Sequence, residues 1–392
     1  MAYDQSASLK DRFQYARQCL MEMFPRRRRP GKTYQGFVKA VRRIPAKLRE
    51  QLQAHLCRQH QKAAGRFWEI FGWIPFAADG SRVELPRTEA NQKAFGCAGR
   101  NKTGPQLLLT VLYHLGSGLP WRWKIGAGAD SERGLLRKML LSLPRHSLLI
   151  ADAGFVGYDF LKAILRHQVS FLIRAGANVT LLTGLGFEFR QRGKIVWLWP
   201  QGKRDQAPLQ LRLIQVKQKS KQFTRKQTVY LLTNVLDTER LSDTVAGVFY
   251  KMRWGVELFY RSFKQTLEHR KMRSGSPALA LEELHWSLTA LLLLGLMGVD
   301  ALVSHQRDPS SLSVAAALRK VRFAMRTSRC WRYRGDLRVL LVKAVKDNYN
   351  RQGSKKARDW AHKKKESPPG APKIRPATSE EIACAKRIYK VA

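Results

Sequence analysis

The sequence predicts an α/β core preceded by a basic helical module, on the strength of three observations. Between residues 74 and 174, apolar runs of strand length alternate with amphipathic helical stretches. From about 178 to 235 the pattern changes to apolar or alternating runs separated by Gly, Asn and charged turns, which predicts a β-rich segment. Residues 1–65 carry 15 basic and 4 acidic residues on short helical stretches, so a helical basic domain stands ahead of the core.

An amphipathic helix over 13–23 opens the chain, and Pro25, the arginines 26–29, Pro30 and Gly31 break it. Further helix runs from about 33 to 64, carrying Arg42, Arg43, Lys47, Arg49 and Arg58. A short strand then leads into Asp79 and Gly80, with Glu84 beyond a turn on the next strand. Strands near 107–115 and 119–125 flank a turn at Gly116, Ser117 and Gly118, and Ser131 caps a helix. Ser147 to Ala151 is a buried strand that delivers Asp152 at its C-terminal edge. A helix over 158–167, with Asp159 as its N-terminal cap, leads to a strand over 169–174.

This β-rich segment holds four strand candidates: Phe187 to Arg190, Ile195 to Trp199, Leu209 to Val216 and Thr228 to Thr233. The last of them is expected to rejoin the core sheet. The loop over 216–226 carries five cations and suits either a DNA backbone or a solvated hairpin tip. Residues 279–303 and 312–325 read as core helices, and residues from about 348 as a basic, mobile tail. The expected domains are therefore 1–65, a core over 66–335 and a C-terminal helix and tail over 336–392.

Formal net charge is +43, from 72 basic and 29 acidic residues, which points to a polyanionic partner. A membrane surface is the competing polyanion, but no helix is patterned to lie in one. The longest apolar stretch, 288–299, is too short to span a bilayer and reads as core. The first residues lack a signal-peptide pattern. Five dispersed cysteines, without a Cys-x-x-Cys pair, fit reduced thiols in a cytosol and argue against a zinc module.

The densest chemistry lies at 250–264. Tyr250, Arg253, Glu257 and Lys264 fall at i, i+3, i+7 and i+14, which puts all four on one helical face. A carboxylate among two cations and a phenol suits a site that holds a divalent metal and a phosphate together. Taken singly, each motif has an ordinary explanation. Asp before Gly is commonly a turn residue, and the charged stripe could be an exposed face with i,i+4 ion pairs.

In this order and spacing the residues resemble the Tyr-(2)-Arg-(3)-Glu-(6)-Lys signature of bacterial DDE transposases of the insertion-sequence-four superfamily. Asp79-Gly-Ser and Asp152-x-Gly-Phe resemble that family's two upstream motifs, although Ala153 stands where relatives more often carry a larger or polar residue. The resemblance implies a ribonuclease-H-like core, with the β-rich segment as an insertion between Asp152 and Glu257, in which Asp79, Asp152 and Glu257 ligate two Mg²⁺ or Mn²⁺ ions. It also implies that Tyr250, Arg253 and Lys264 hold DNA phosphates. Tyr260 and Trp254 are expected to be core aromatics. The implied activity is cut-and-paste transposition. Water frees a 3′-OH at the element's end, and that 3′-OH then attacks target DNA. The implied partners are terminal inverted repeats and target duplex, bound by a homodimer at the bacterial nucleoid. Two rival readings share the acids or the charge: a nuclease or resolvase of the same fold without strand transfer, and a domesticated DNA-binding protein.

Overall fold

The computed structural model describes residues 1–97, 104–186, 193–218, 227–327, 336–347 and 369–391. The chain passes between two compact units, the first of Met1–Ser142 with Trp254–Lys346 and the second of Leu143–Arg253 with Asp347–Ala392. It begins in the first unit with α1 (Leu9–Met23), α2 (Tyr34–Arg42) and α3 (Ala46–Ala64). There follow β1 (Ile74–Glu84), α4 (Glu89–Phe95), β2 (Gln106–His114), β3 (Leu119–Ala127) and α5 (Glu132–Arg137). The second unit opens with β4 (Ser147–Ala151), α6 (Tyr158–Arg166), β5 (Ser170–Ala175) and β6 (Thr180–Thr183). It continues through β7 (Lys194–Leu198), β8 (Leu209–Gln218), β9 (Gln227–Thr233) and α7 (Asp243–Met252). The first unit resumes with α8 (Trp254–Arg261), α9 (Pro277–Ser304), α10 (Val314–Thr327) and α11 (Leu337–Val342). The second unit ends with β10 (Lys373–Pro376) and α12 (Ser379–Val391).

In the first unit β1, β2 and β3 form an antiparallel meander, with Asp79 opposite Val111. β2 is buried from Leu107 onward because α5 and α8 both pack on it. Here the structure corrects the reading of Asp79. β1 does not end there but runs on to Glu84, so Asp79 is mid-strand and Glu84 lies on the same strand. The unbroken ladder to Gln106 satisfies backbone groups that an Asp-Gly turn would have had to leave.

α9 carries the unit's core over 28 residues, in agreement with the core helix expected over 279–303. By length and composition it could cross a membrane, but 67% of its most apolar window is buried. α2, α3, α10 and α11 all pack on it, so the helices of 1–65 share a core with the rest of this unit.

Where α3 meets the β2–β3 turn, two histidines are buried side by side. His114 Nε2 donates to the Trp68 carbonyl at 2.9 Å, which leaves Nδ1 to accept from the Ser117 amide at 3.1 Å. Ser117 Oγ bridges the two rings, 2.9 Å from His114 Nδ1 and 2.5 Å from His60 Nε2. Trp68, Phe76 and Trp121 box the pair. Burial drives the His60 pKa well down and that of His114 to about 4. His269, buried elsewhere in this unit, is also lowered to about 4.

A lowered imidazole pKa means that the unfolded chain takes up protons first. The stabilisation is complete above about pH 6.5 and is lost as pH falls toward 4. Each of His114 and His269 should cost about 2 kcal/mol between pH 7 and pH 5. Urea unfolding at the two pH values checks this, and the His114→Gln variant should show a shallower dependence. An unchanged midpoint would refute it.

The second unit's strands run in the order β10-β6-β7-β8-β9-β5-β4. β4 and β5 are parallel with α6 as the crossover between them, and β9 rejoins β5 antiparallel, as expected. The predicted strand over 187–190 and most of the basic loop over 216–226 lie outside the described residues, as do Cys330 and the tail to residue 368. Among the described residues, Cys19, Cys57, Cys97 and Cys384 form no disulfide.

Two expectations change in this unit. Gly157, not Asp159, caps α6; Asp159 sits in the first turn and pairs with Lys203 at 3.0 Å. Residues 369–391, expected to be mobile, are ordered: β10 pairs with β6, and Glu381 takes a two-pronged grip from Arg375. That grip, with Arg204 on the same carboxylate, pulls Glu381 down to about pKa 2. Proline and lysine content suggested disorder, but strand pairing and this ion-pair network supply the order that composition does not show.

Candidate active site

The six candidate residues fall into two groups, Asp152, Tyr250 and Arg253 in the second unit and Asp79, Glu257 and Lys264 in the first. The stripe over 250–264 is not one regular helix. α7 ends at Met252, Arg253 forms the junction with helical backbone angles, α8 carries Glu257, and Lys264 lies on a π-helical turn over Ser262–Thr266. The wider π turn shifts Lys264 and the residues after it away from ideal α spacing, and such turns are common at functional sites.

In the second unit Asp152 follows β4 directly and is half-exposed. Its Oδ1 accepts from the Ala153 amide at 2.8 Å and from the Tyr250 hydroxyl at 3.2 Å. Arg253 Nη2 stands 3.9 Å from Oδ2, so that oxygen faces a cation without being tied by a hydrogen bond. The Arg253 guanidinium also lies 5.6 Å from the Tyr250 ring centroid. Burial first, then the Asp152 charge, raises the Tyr250 pKa, while Arg253 and Arg174 oppose the rise.

Arg174 is a member of this group that the motifs did not reveal. Its side chain hydrogen-bonds the Tyr250 hydroxyl, which can accept from Arg174 while donating to Asp152. No motif in the sequence marks it; strand register does. Ala151 pairs with Ile173, so the two strands deliver Asp152 and Arg174 one residue further on, at the same level.

Arg212, on β8, fixes where α7 begins. It is fully buried, donates to the carbonyls of Leu236 (3.4 Å) and Leu241, and stands 3.7 Å from Asp243 in the first turn of α7. Gly193, at φ +124°, gives it room: a Cβ there would lie 2.9 Å from Arg212 Cδ.

In the first unit Asp79 and Glu257 are both partly exposed, Asp79 on β1 and Glu257 on α8. Tyr260, one turn after Glu257, ties the two elements together. Its hydroxyl lies 2.9 Å from the Asp79 carbonyl and 3.0 Å from that of Leu109. Burial therefore bears out its expected core role, whereas Trp254 is 56% exposed and is not a core residue. Lys264 donates to Ser81 Oγ at 2.7 Å. Burial and then Arg270 lower its pKa, against the pull of Glu84 and Asp79.

Gly80 does not leave open space for a backbone or phosphate, because the Glu132 carboxyl occupies it; a Cβ there would meet Glu132 at 2.5 Å. Burial raises the Glu132 pKa. Among the described residues, no three His, Cys, Asp or Glu side chains lie close enough together to hold a metal ion. The second-unit group is thus an acid under two arginines and a phenol, suited to a phosphate oxygen. The first-unit group is two partly exposed carboxylates on β1 and α8, with a half-buried lysine that feels the Asp79 charge.

Comparison with known proteins places these groups in context. A family model described as "Transposase DDE domain" matches residues 74–293, a stretch that includes all six candidate residues. "Transposase InsG for insertion sequence element IS4" of Escherichia coli (strain K12) is 28% identical over 234 residues, which cover 56% of this chain and 51% of that protein. The match thus spans about half the length of that curated relative. The solved piggyBac transposase synaptic complex with hairpin DNA aligns with 72% of this chain and 59% of its own, at 12% identity and a TM-score of 0.40.

Proposed function

The chain belongs to the transposase DDE domain family, and from that premise we propose that it cuts DNA at the ends of an insertion sequence and joins the freed 3′-OH to target DNA. The carrying observation is that the family match runs through Asp79, Asp152 and Glu257, while Asp152 stands beside a phenol and two arginines fit to hold phosphate. In this reading Asp79, Asp152 and Glu257 hold two Mg²⁺ or Mn²⁺ ions. The donor types fit: all are carboxylate oxygens, which hard cations prefer, and all are partly exposed. Bound metal would activate the attacking oxygen and stabilise the leaving 3′-oxygen.

The protein's own groups would do the rest. Arg253 offers a planar fork to a phosphate beside Asp152, Tyr250 and Arg174 fix that fork's neighbours, and Lys264 supplies a point charge. In the first step water breaks a P–O bond and leaves a 3′-OH. In the second that hydroxyl attacks a target phosphodiester and displaces its 3′-oxygen. The antiparallel meander bearing Asp79, the β4–α6–β5 crossover before which Asp152 lies, and Glu257 on a later helix support a ribonuclease-H-like core with β6 to β9 as the insertion. Net charge of +43 supports duplex DNA as the partner, with the helices of 1–65 on the element's ends. Joining two ends calls for a homodimer, and the free cysteines suit a bacterial cytoplasm.

The test is purified protein on linear DNA carrying its own element's ends, with Mg²⁺, Mn²⁺ or chelator. Metal-dependent 3′-end cleavage followed by joined product supports a transposase. Cleavage without joining would leave only a nuclease of the same fold, and tight binding with neither activity a domesticated binder.

A further inference from the structure

We infer that α3 is the helix that reads the element's end, lying in the major groove with Gln51, His55 and Arg58 against base edges. The inference rests on the proposed role of the helices of 1–65 in gripping those ends, and it names the surface and the residues. α2 and α3 are joined by the three residues 43–45, and both pack on α9. The inner face of α3 is committed. Leu56, Cys57, His60 and Ala64 are buried, Cys57 Sγ reaches the Trp121 carbonyl at 3.4 Å, His60 bonds Ser117, and Arg49 pairs with Glu282 of α9.

That anchoring fixes which side faces out. Lys47, Gln51, Arg58 and Lys62 are exposed and fall within about 60° of helical arc, with His55 just beside them. An ordinary solvated helix face interleaves opposite charges at i,i+4. This one carries three cations and two neutral hydrogen-bonding groups, with its only acid, Glu50, at the rim. Exposed Leu48 borders the stripe, where a thymine methyl could pack.

The chemistry sorts the stripe by role. Arg pairs bidentately with guanine O6 and N7, and Gln with adenine N6 and N7, in a groove about 12 Å wide that accepts one helix. Lys47 and Lys62 stand roughly 22 Å apart at the stripe's ends, where the phosphate strands flank the groove.

The experiment measures binding of the full-length protein to its own terminal duplex and to a scrambled duplex of equal length, across a salt series. Gln51→Ala and Arg58→Ala should each cut the preference for the true end about 10- to 100-fold. Lys47→Ala and Lys62→Ala should instead weaken both duplexes alike and lower the salt slope by about 1 each. All four side chains are exposed, so thermal unfolding should not move. If the wild type prefers its end and the Gln51 and Arg58 variants keep that preference, α3 is not the reader, and the transposase reading survives. A wild type without any preference would overturn end recognition itself, and this inference with it.

Discussion

Alanine at Asp152 is expected to abolish DNA cleavage and joining while leaving DNA binding in place. The expected loss is at least about 10³-fold, on the order of 4 kcal/mol of transition-state stabilisation, with end binding changed only a few-fold. Asp79→Ala and Glu257→Ala should fall as far, and a double variant little further, because ligands of one centre act as a unit. Substantial cleavage by any single variant would remove that residue from the metal site.

Asp152→Ala also has a signature independent of activity. The Asp152 charge helps raise the Tyr250 pKa, with burial the larger cause. Removing it should lower that pKa without restoring the ordinary value, because the burial remains. A fluorotyrosine at position 250, titrated by NMR in both proteins, reads this directly. An unchanged titration would mean that the 3.2 Å contact has no energetic weight.

Arg212→Ala is the second large effect, and it acts on stability. The fully buried guanidinium donates to two loop carbonyls. Truncation leaves both without a donor and opens a cavity, at a cost of about 3 kcal/mol. Asp243 adds little, being mostly exposed at 3.7 Å. Arg212→Lys keeps the charge but loses the fork, so it should recover only part of the loss. The damage should centre on α7, which starts at the anchored loop and carries Tyr250. Hydrogen exchange is the better readout, since a two-unit chain need not unfold in one step. Faster exchange across 243–252 is expected, and exchange as slow as in the wild type would show that α7 does not depend on Arg212.

Much of this protein was legible in one dimension. The acids and the Tyr250, Arg253, Glu257 and Lys264 spacing sit in motifs whose chemistry demands fixed residue types, so a linear reading finds them. Strand β4 and helix α6 were equally plain, because period and burial agree along a single short run. Net charge pointed to a polyanion without any coordinates.

What stayed hidden depends on pairing between distant segments. An Asp-Gly step reads as a turn, but the β2 ladder keeps β1 extended to Glu84. The tail past residue 368 looks disordered by composition, yet β6 and an arginine grip on Glu381 order it. Arg174 and Arg212 are ordinary cations until strand register sets one beside Asp152 and burial aims the other at the loop before α7. The outward face of α3 is defined only once His60 and Arg49 have fixed its inner one. Sequence determined which chemical groups are present and their local conformations, because those depend on neighbours along the chain. Tertiary structure decided which groups meet and which face solvent, because hydrogen-bond ladders and buried polar partners act between residues that the chain order keeps far apart.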